Sequence, residues 1–392
     1  MRRFIALFCA LAFVLGDSSS LRGQINPPSG PEPESCEPIR GSNDLGMCLR
    51  LPEGDPQGPL GNRIPVILIH GMNPKEVAGE PDLSVWEGLS RHLYLSRWFQ
   101  EHYKMYFLIY LSNIQRNTIR DMGLTFRSLI EMMDADDPAF RSKQFVLIGH
   151  SMGGLVARSY MQEFRRGSGQ RNGERVLRLI TLGTPHRGTP IANGPARDIK
   201  AGYEFFLLHQ FVDGGLFGFD IRWDMDNRYD LHWDNYDGLF GSSYNEKGIW
   251  IDWLHSGDMF ERKIVAYGGT VRTRTQVLDC AKWPPDDPSC TAWIIKHILD
   301  AGDNDGVVPL KSALFNPCKD CLAARIYDGY DHSEIVRGKA RFPGESESLF
   351  EDISANLLNL VMPRSAAFDN YVDLGNPDDE RFHALSGWDR VN

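Results

Sequence analysis

Four apolar residues, Phe145 to Ile148, lead without a loop into Gly149-His150-Ser151-Met152-Gly153, and an amphipathic stretch, Leu155 to Phe164, leads out of it. Strand, turn and helix thus follow one another within 20 residues, around the only Gly-x-Ser-x-Gly in the 392-residue chain. Glycine on both sides of a serine suits a turn that brings backbones too close for a Cβ. A serine so placed sits at a strained strand-to-helix elbow with its hydroxyl presented. The helix that begins at Met152 aims the positive end of its dipole at any oxyanion formed beside it. A serine hydroxyl is a weak nucleophile, so the rest of the chain has to supply a base and a group that orients the base.

The elbow lies within a chain of alternating patterns. Ile64 to Ile69 is a continuous aliphatic run, as in a strand buried on both faces. Tyr103 to Tyr110, Val176 to Leu182, Ile264 to Tyr267 and the short Arg325 to Tyr327 also read as strands. Residues 114–133 carry Ile119, Met122, Phe126, Leu129, Ile130 and Met133 at helical spacing, and Ser348 to Val361 reads as a closing helix ahead of Pro363. Strand–helix alternation predicts an α/β fold, a mostly parallel sheet flanked by helices. With 42% hydrophobic and 24% charged residues, composition is that of an ordinary globular protein and excludes collagen, coiled coil and disorder of the whole chain. The 42 basic and 52 acidic residues, a net charge of −10, exclude a generally basic nucleic-acid binder.

In a fold built on such an elbow the chain order is serine, acid, histidine. Gly302-Asp303-Asn304-Asp305-Gly306-Val307-Val308-Pro309 places carboxylates in a loop after the Ile264–Tyr267 strand, with Asp305 and Asp303 both candidates. Of the histidines after Ser151, only His332 and His383 lie beyond that loop. His332 follows a strand in Gly329-Tyr330-Asp331-His332-Ser333, whereas His383 sits in a polar tail, so His332 is the expected base.

Five elements in this order, Ile69-His70-Gly71-Met72, the Gly149–Gly153 elbow, Leu182-Gly183-Thr184-Pro185-His186-Arg187-Gly188, Asp305-Gly306-Val307-Val308-Pro309 and His332, resemble the α/β-hydrolases of the secreted bacterial triacylglycerol lipase and esterase type. The resemblance covers roughly residues 62–190 and 262–362. It implies a Ser151–Asp305–His332 triad, selecting Asp305 over Asp303, and an oxyanion hole from the backbone amides of Met72 and Met152. It implies acyl-ester hydrolysis through an acyl-enzyme with no metal or organic cofactor. A phospholipid, polyester or glycolipid acyl ester would use the same triad, and a non-catalytic binding protein on the same fold is the alternative from another class. His70 reads as a buried structural group, and the loop holding His186 as a wall of the site. Asp224 to Asp230 begins like an EF-hand loop, but Arg228 and Tyr229 stand where an oxygen ligand and a glycine are needed, so no metal site is assigned.

The sheet pattern stops after Leu182 and resumes near Ile264, so residues 191–260 are expected to be an inserted lid. Residues 201–260 hold 15 aromatics, 11 acidic and three basic residues. Phe205, Phe206, Phe211, Phe217, Phe219, Trp223 and Trp233 are candidates to line an acyl groove. The family resemblance also places lids between these two strands. The expected partners are a lipid or other ester substrate and a lipid interface, with no nucleic acid; the sequence sets no oligomeric state.

Arg2 and Arg3 before the apolar stretch Phe4 to Leu15 read as a signal peptide, residues 1–23, whose apolar run is too short to span a bilayer. A linker and extension, 24–61, the hydrolase core, 62–190 and 261–362, and a tail, 363–392, complete the expected organisation. The mature chain is then exported, secreted or periplasmic. Its six cysteines, Cys36, Cys48, Cys280, Cys290, Cys318 and Cys321, suggest three disulfides. Close spacing favours Cys36–Cys48, Cys280–Cys290 and Cys318–Cys321. A free-thiol assay on the denatured, unreduced mature protein is expected to find none; two or more free thiols, or stoichiometric zinc, would contradict the three disulfides.

Overall fold

The computed structural model describes residues 47–52, 58–72, 83–110, 112, 118–190, 230–231, 251, 254–255, 260–271, 288–297, 301–314, 321–337 and 349–361. Contacts separate Met1–Ser35 from Cys36–Asn392, and every described residue belongs to the second unit. The expected signal peptide, the C-terminal tail and the seven aromatics of the acyl groove lie outside the described residues, as does most of 191–260.

Seven strands, β1 (Cys48–Arg50), β2 (Ile64–Ile69), β3 (Tyr103–Ile109), β4 (Phe145–His150), β5 (Val176–Leu182), β6 (Ile264–Thr270) and β7 (Ala323–Asp328), form one sheet in the order β1-β3-β2-β4-β5-β6-β7. β1 runs antiparallel to β3, and every other neighbouring pair is parallel. Parallel neighbours require crossovers, and helices supply them. These include α1 (Glu87–Tyr94) and α2 (Arg97–His102), then α3 (Ile119–Asp136) and α4 (Pro138–Arg141), and α5 (Met152–Gln162). Further along come α6 (Pro288–His297), α7 (Leu310–Ala313), α8 (Glu334–Arg337) and α9 (Leu349–Val361).

Helices on both faces explain why the central strands read as continuous apolar runs. Successive side chains still alternate between two cores. Ile67, Ile69 and Leu147 pack with Met122 and Phe126 of α3 and Leu155 and Tyr160 of α5. Val66, Leu68, Val146 and Ile148 pack on the other face with Leu89, Phe99, Ile353 and Leu357. Every residue of α5 is buried, so the helix behind Ser151 is a core element. α3 comes so close that a Cβ on Gly123 would lie 2.7 Å from Ser159 Cβ and 2.9 Å from the Tyr160 nitrogen.

Element ends follow local chemistry. The expected 114–133 helix begins at Ile119 because Thr118 and Asp121 form a capping box, and it ends at Asp136 because Asp137 caps α4. The Asp230 carboxylate adds a bond from the Ile119 amide at 2.6 Å. β6 runs three residues past the expected Tyr267, through Gly268 and Gly269 to Thr270, which pairs with Asp328. Glycine pairs read as turns in a sequence, but here the second lies against the Tyr330 carbonyl, where a side chain would not fit.

The chain leaves β2 for β3 on one side and returns to β4 on the other, so the strand order reverses between β2 and β4. In such sheets the ligand crevice lies outside the carboxyl ends of the strands at that reversal. Ile69 of β2 pairs with Gly149 of β4, so Gly71 and Ser151 emerge side by side at that edge.

The α3–α5 contact supports the elbow from behind. Gly123→Val is expected to lower stability by about 2 kcal/mol through overpacking. Gly169→Ala, in open space, should change it by no more than about 0.5 kcal/mol. Urea unfolding of both variants checks this; equal midpoints would show that the close helix contact is not stressed.

Candidate active site

Ser151 is the only non-glycine residue with positive φ among the described residues, at φ 53° and ψ −131°. Such a conformation costs about 1–3 kcal/mol and persists only where its surroundings over-determine it. Here three backbones press together. A Cβ on Gly149 would meet Gly154 Cα at 2.6 Å, and one on Gly153 would run into the Ile69 and His70 carbonyls. A Cβ on Gly71 would lie 2.6 Å from Ser151 Cβ. The Ser151 amide donates to the Leu182 carbonyl at 2.9 Å, tying the elbow to β5.

The strain has a use. Serine at the start of a helix ordinarily caps it. Ser151 occupies the N-cap position of α5 but makes no side-chain cap bond. Its Oγ instead lies 2.8 Å from His332 Nε2. His332 Nδ1 lies 2.8 Å from Asp305 Oδ2. Asp305 is fully buried and His332 is 6% exposed. The other carboxylate oxygen of Asp305 accepts amides from Val307 at 3.0 Å and Val308 at 2.7 Å, so the carboxylate cannot turn away from the imidazole. Asn304 holds the loop: its Nδ2 donates to the carbonyls of Ala292 and Gly302, and its Oδ1 accepts the Gly306 amide. Asp303 points elsewhere and pairs with Lys296 at 2.6 Å.

Of the sequence candidates, Ser151, Asp305 and His332 therefore come together in one bonded row. Met152 is the first residue of α5, at the positive end of the helix dipole. Met72 follows Gly71, whose Cβ would stand 3.2 Å from Ser151 Oγ, so the backbone leading to the Met72 amide passes against that hydroxyl. Gly183, with φ 56°, leaves room for Asp305 and His332; a Cβ there would lie 2.9 Å from Asp305 Oδ2 and 3.2 Å from His332 Nδ1. Its place in Leu-Gly-Thr-Pro-His was visible in the sequence, but its reason was not.

Three further histidines surround the row without joining it. His70 stacks on Tyr110 with ring centroids 4.2 Å apart, its Nδ1 donates to the Gly71 carbonyl at 2.8 Å, and the Tyr110 hydroxyl donates to the His70 carbonyl. Burial pushes His70 down to about 4. Desolvation, then the neighbouring His332, pushes His150 down to about 3. Both are neutral in the folded protein, so the stability their burial allows is complete above about pH 6.5 and is lost as pH falls through these values. His186 accepts from Arg158 Nη1 at 3.2 Å through Nδ1, so its Nε2 carries the proton toward Thr181 Oγ1 at 3.0 Å. Burial, then Arg158, holds His186 well below the ordinary histidine range.

Residues 110–202 match a family described as the PGAP1-like alpha/beta domain. No curated protein sequence matches the chain significantly. Among solved structures, the chain is similar to Bacillus licheniformis lipase BlEst2 in mature form, with 19% identity, 76% of this chain and 95% of that chain covered, and a TM-score of 0.44. It is similar to phospholipase PlaB from Legionella pneumophila at 13% identity, covering 83% of this chain and 64% of that one with a TM-score of 0.47. It is also similar to lipase 1 from Pelosinus fermentans at 14% identity, covering 77% and 100% with a TM-score of 0.41. The sheet order, the elbow between β4 and α5, and an acid and a histidine carried by the loops after β6 and β7 make the chain an α/β-hydrolase in fold.

Proposed function

We propose that the protein is a serine carboxylic-ester hydrolase, most specifically a lipase that cleaves acyl esters. The observation that carries this reading is the continuous row Ser151 Oγ–His332 Nε2 and His332 Nδ1–Asp305 Oδ2, each link 2.8 Å, on a serine that has given up its capping bond. In the proposed reaction His332 Nε2 takes the Ser151 proton as Oγ attacks the ester carbonyl carbon. Asp305 keeps the His332 proton on Nδ1 and stabilises the imidazolium. The amides of Met72 and Met152 receive the oxyanion. The protonated His332 then gives its proton to the departing alcohol as the C–O bond breaks, leaving the acyl group on Ser151. Water, deprotonated by His332, releases the acid by the same route.

An acyl substrate with a medium or long chain fits the inserted segment. Its aromatic content supports an apolar groove, and its described residues anchor on the strand-end side that carries Ser151. Leu231 accepts the Thr189 amide at 2.9 Å just beyond β5. Asp230 caps the start of α3, and His255 Nε2 donates to the His186 carbonyl at 2.7 Å. Two of the similar structures are lipases by name and one is a phospholipase; the substrate class rests on this chain's own residues. Export after removal of residues 1–23 belongs to the same proposal. The three disulfides expected of the six mature cysteines belong to it too, since an oxidising compartment would keep them paired.

Initial rates on p-nitrophenyl esters from acetate to palmitate, for the wild type, four single variants and the double variants, test the reading. The wild type is expected to prefer medium or long chains. Ser151→Ala, His332→Ala and Asp305→Asn should each lose more than about 1,000-fold in turnover with unchanged circular dichroism, and double variants should be hardly worse than single ones. Asp303→Asn should stay near wild type. A crippled Asp303→Asn beside an active Asp305→Asn would move the acid, and an acetate preference would remove the acyl groove.

A further inference from the structure

The sequence motif contains a second buried side chain that the proposed reaction does not use. His150 immediately precedes the nucleophile at the end of β4, and its Nε2 lies 2.8 Å from the main-chain carbonyl of His332. A carbonyl only accepts, so Nε2 carries the hydrogen and donates it. The His332 amide donates in turn to the Asp305 carbonyl at 2.9 Å. The backbone of the base is thus gripped at both its polar groups, by the residue next to the nucleophile on one side and by the acid on the other. The imidazole of His332 reaches its two partners from that fixed origin.

We propose that His150 is a positioning residue of the hydrolase: its Nε2–H holds the His332 main chain where the imidazole spans Ser151 and Asp305.

The grip is short and stiff. His150 and Ser151 are consecutive, so the strand that presents the nucleophile also sets the base, and few rotatable bonds separate the two. The His150 ring is itself confined, with the His332 ring centroid at 4.9 Å and that of buried Trp86, set at right angles to it, at 6.5 Å. Its 8% exposure leaves little water to substitute for a lost donor. Without it, His332 stays tethered through β7 and the start of α8, where Asp331 Oδ1 accepts the Ser333 and Glu334 amides at 2.8 Å. That tether holds the Ser333 amide, the other end of the same peptide unit, and supplies no donor to the His332 carbonyl. A misplacement of about 1 Å at a reacting centre costs up to about 100-fold in rate.

The inference rests on the serine-hydrolase reading but is separable from it. His150→Phe keeps a ring in the slot and removes the donor. His150→Gln has an Nε2 the same number of bonds from Cβ and keeps it. Turnover and KM on p-nitrophenyl butyrate, the low-field proton resonance of His332 Nδ1–H, and melting temperature are measured for both and for the wild type. H150F is expected to lose about 30-fold in kcat with KM within about threefold, and to lose the low-field resonance or shift it upfield. H150Q should recover most of both. Full activity with an unchanged resonance in H150F overturns the proposal. So does a folded H150Q that is as inactive as H150F, because packing and not the donor would then be what matters. If the wild type hydrolyses no ester, the reaction reading fails, while the resonance comparison still decides whether His150 places His332.

Discussion

The close passage of three backbones at the β2–β4 reversal governs everything at the carboxyl edge of the sheet. The end of β2, the end of β4 and the first turn of α5 approach so nearly that only glycine fits at positions 71, 149 and 153. In that crowding Ser151 is forced to φ 53°, and the usual capping role of a helix-start serine is lost. A relaxed elbow would turn the hydroxyl back to the amides of α5. The burial of all of α5, and the pressure of α3 behind it, keep the elbow from relaxing. Core packing is thereby converted into the presentation of one oxygen atom.

Burial completes what sterics begin. Asp305 is removed from water, yet one carboxyl oxygen accepts two backbone amides and the other faces the imidazole, so both oxygens have partners and a fixed direction. Around the row the protein places histidines that burial keeps neutral, which lets them donate through one nitrogen without adding a charge that would oppose an imidazolium at His332. The same crowded edge also receives the anchors of the inserted segment at Thr189 and Ile119, so the elements that carry the chemistry also carry the attachment of the segment proposed to recognise the acyl chain.

Much of this was legible in the sequence, for physical reasons. Strands buried on both faces read as apolar runs, so β2 and the first four residues of β4 stood out, and the elbow was written in consecutive residues. Asp303 and Asp305 could not be separated by residue type, because both lie in one polar loop; the difference is that one faces Lys296 and the other faces His332, which depends on a fold made by residues far apart. The short antiparallel β1 was invisible for lack of any periodicity over three residues. α1 and α2 escaped notice as well, being short and separated only by Leu95 and Ser96. What His150 and Gly183 touch was hidden in plain motifs, since the His332 carbonyl and the Asp305–His332 pair lie about 120–180 residues away in the chain.

The central claim is that Ser151 is a nucleophile made reactive by its elbow and by His332. Reaction of the native protein with a fluorophosphonate, followed by intact mass and peptide mapping, tests it most directly, because the reagent needs an activated serine and no particular acyl chain. The account predicts one phosphonyl group per chain, on Ser151, and none after denaturation. An unmodified Ser151, or a label placed on another residue, would contradict it.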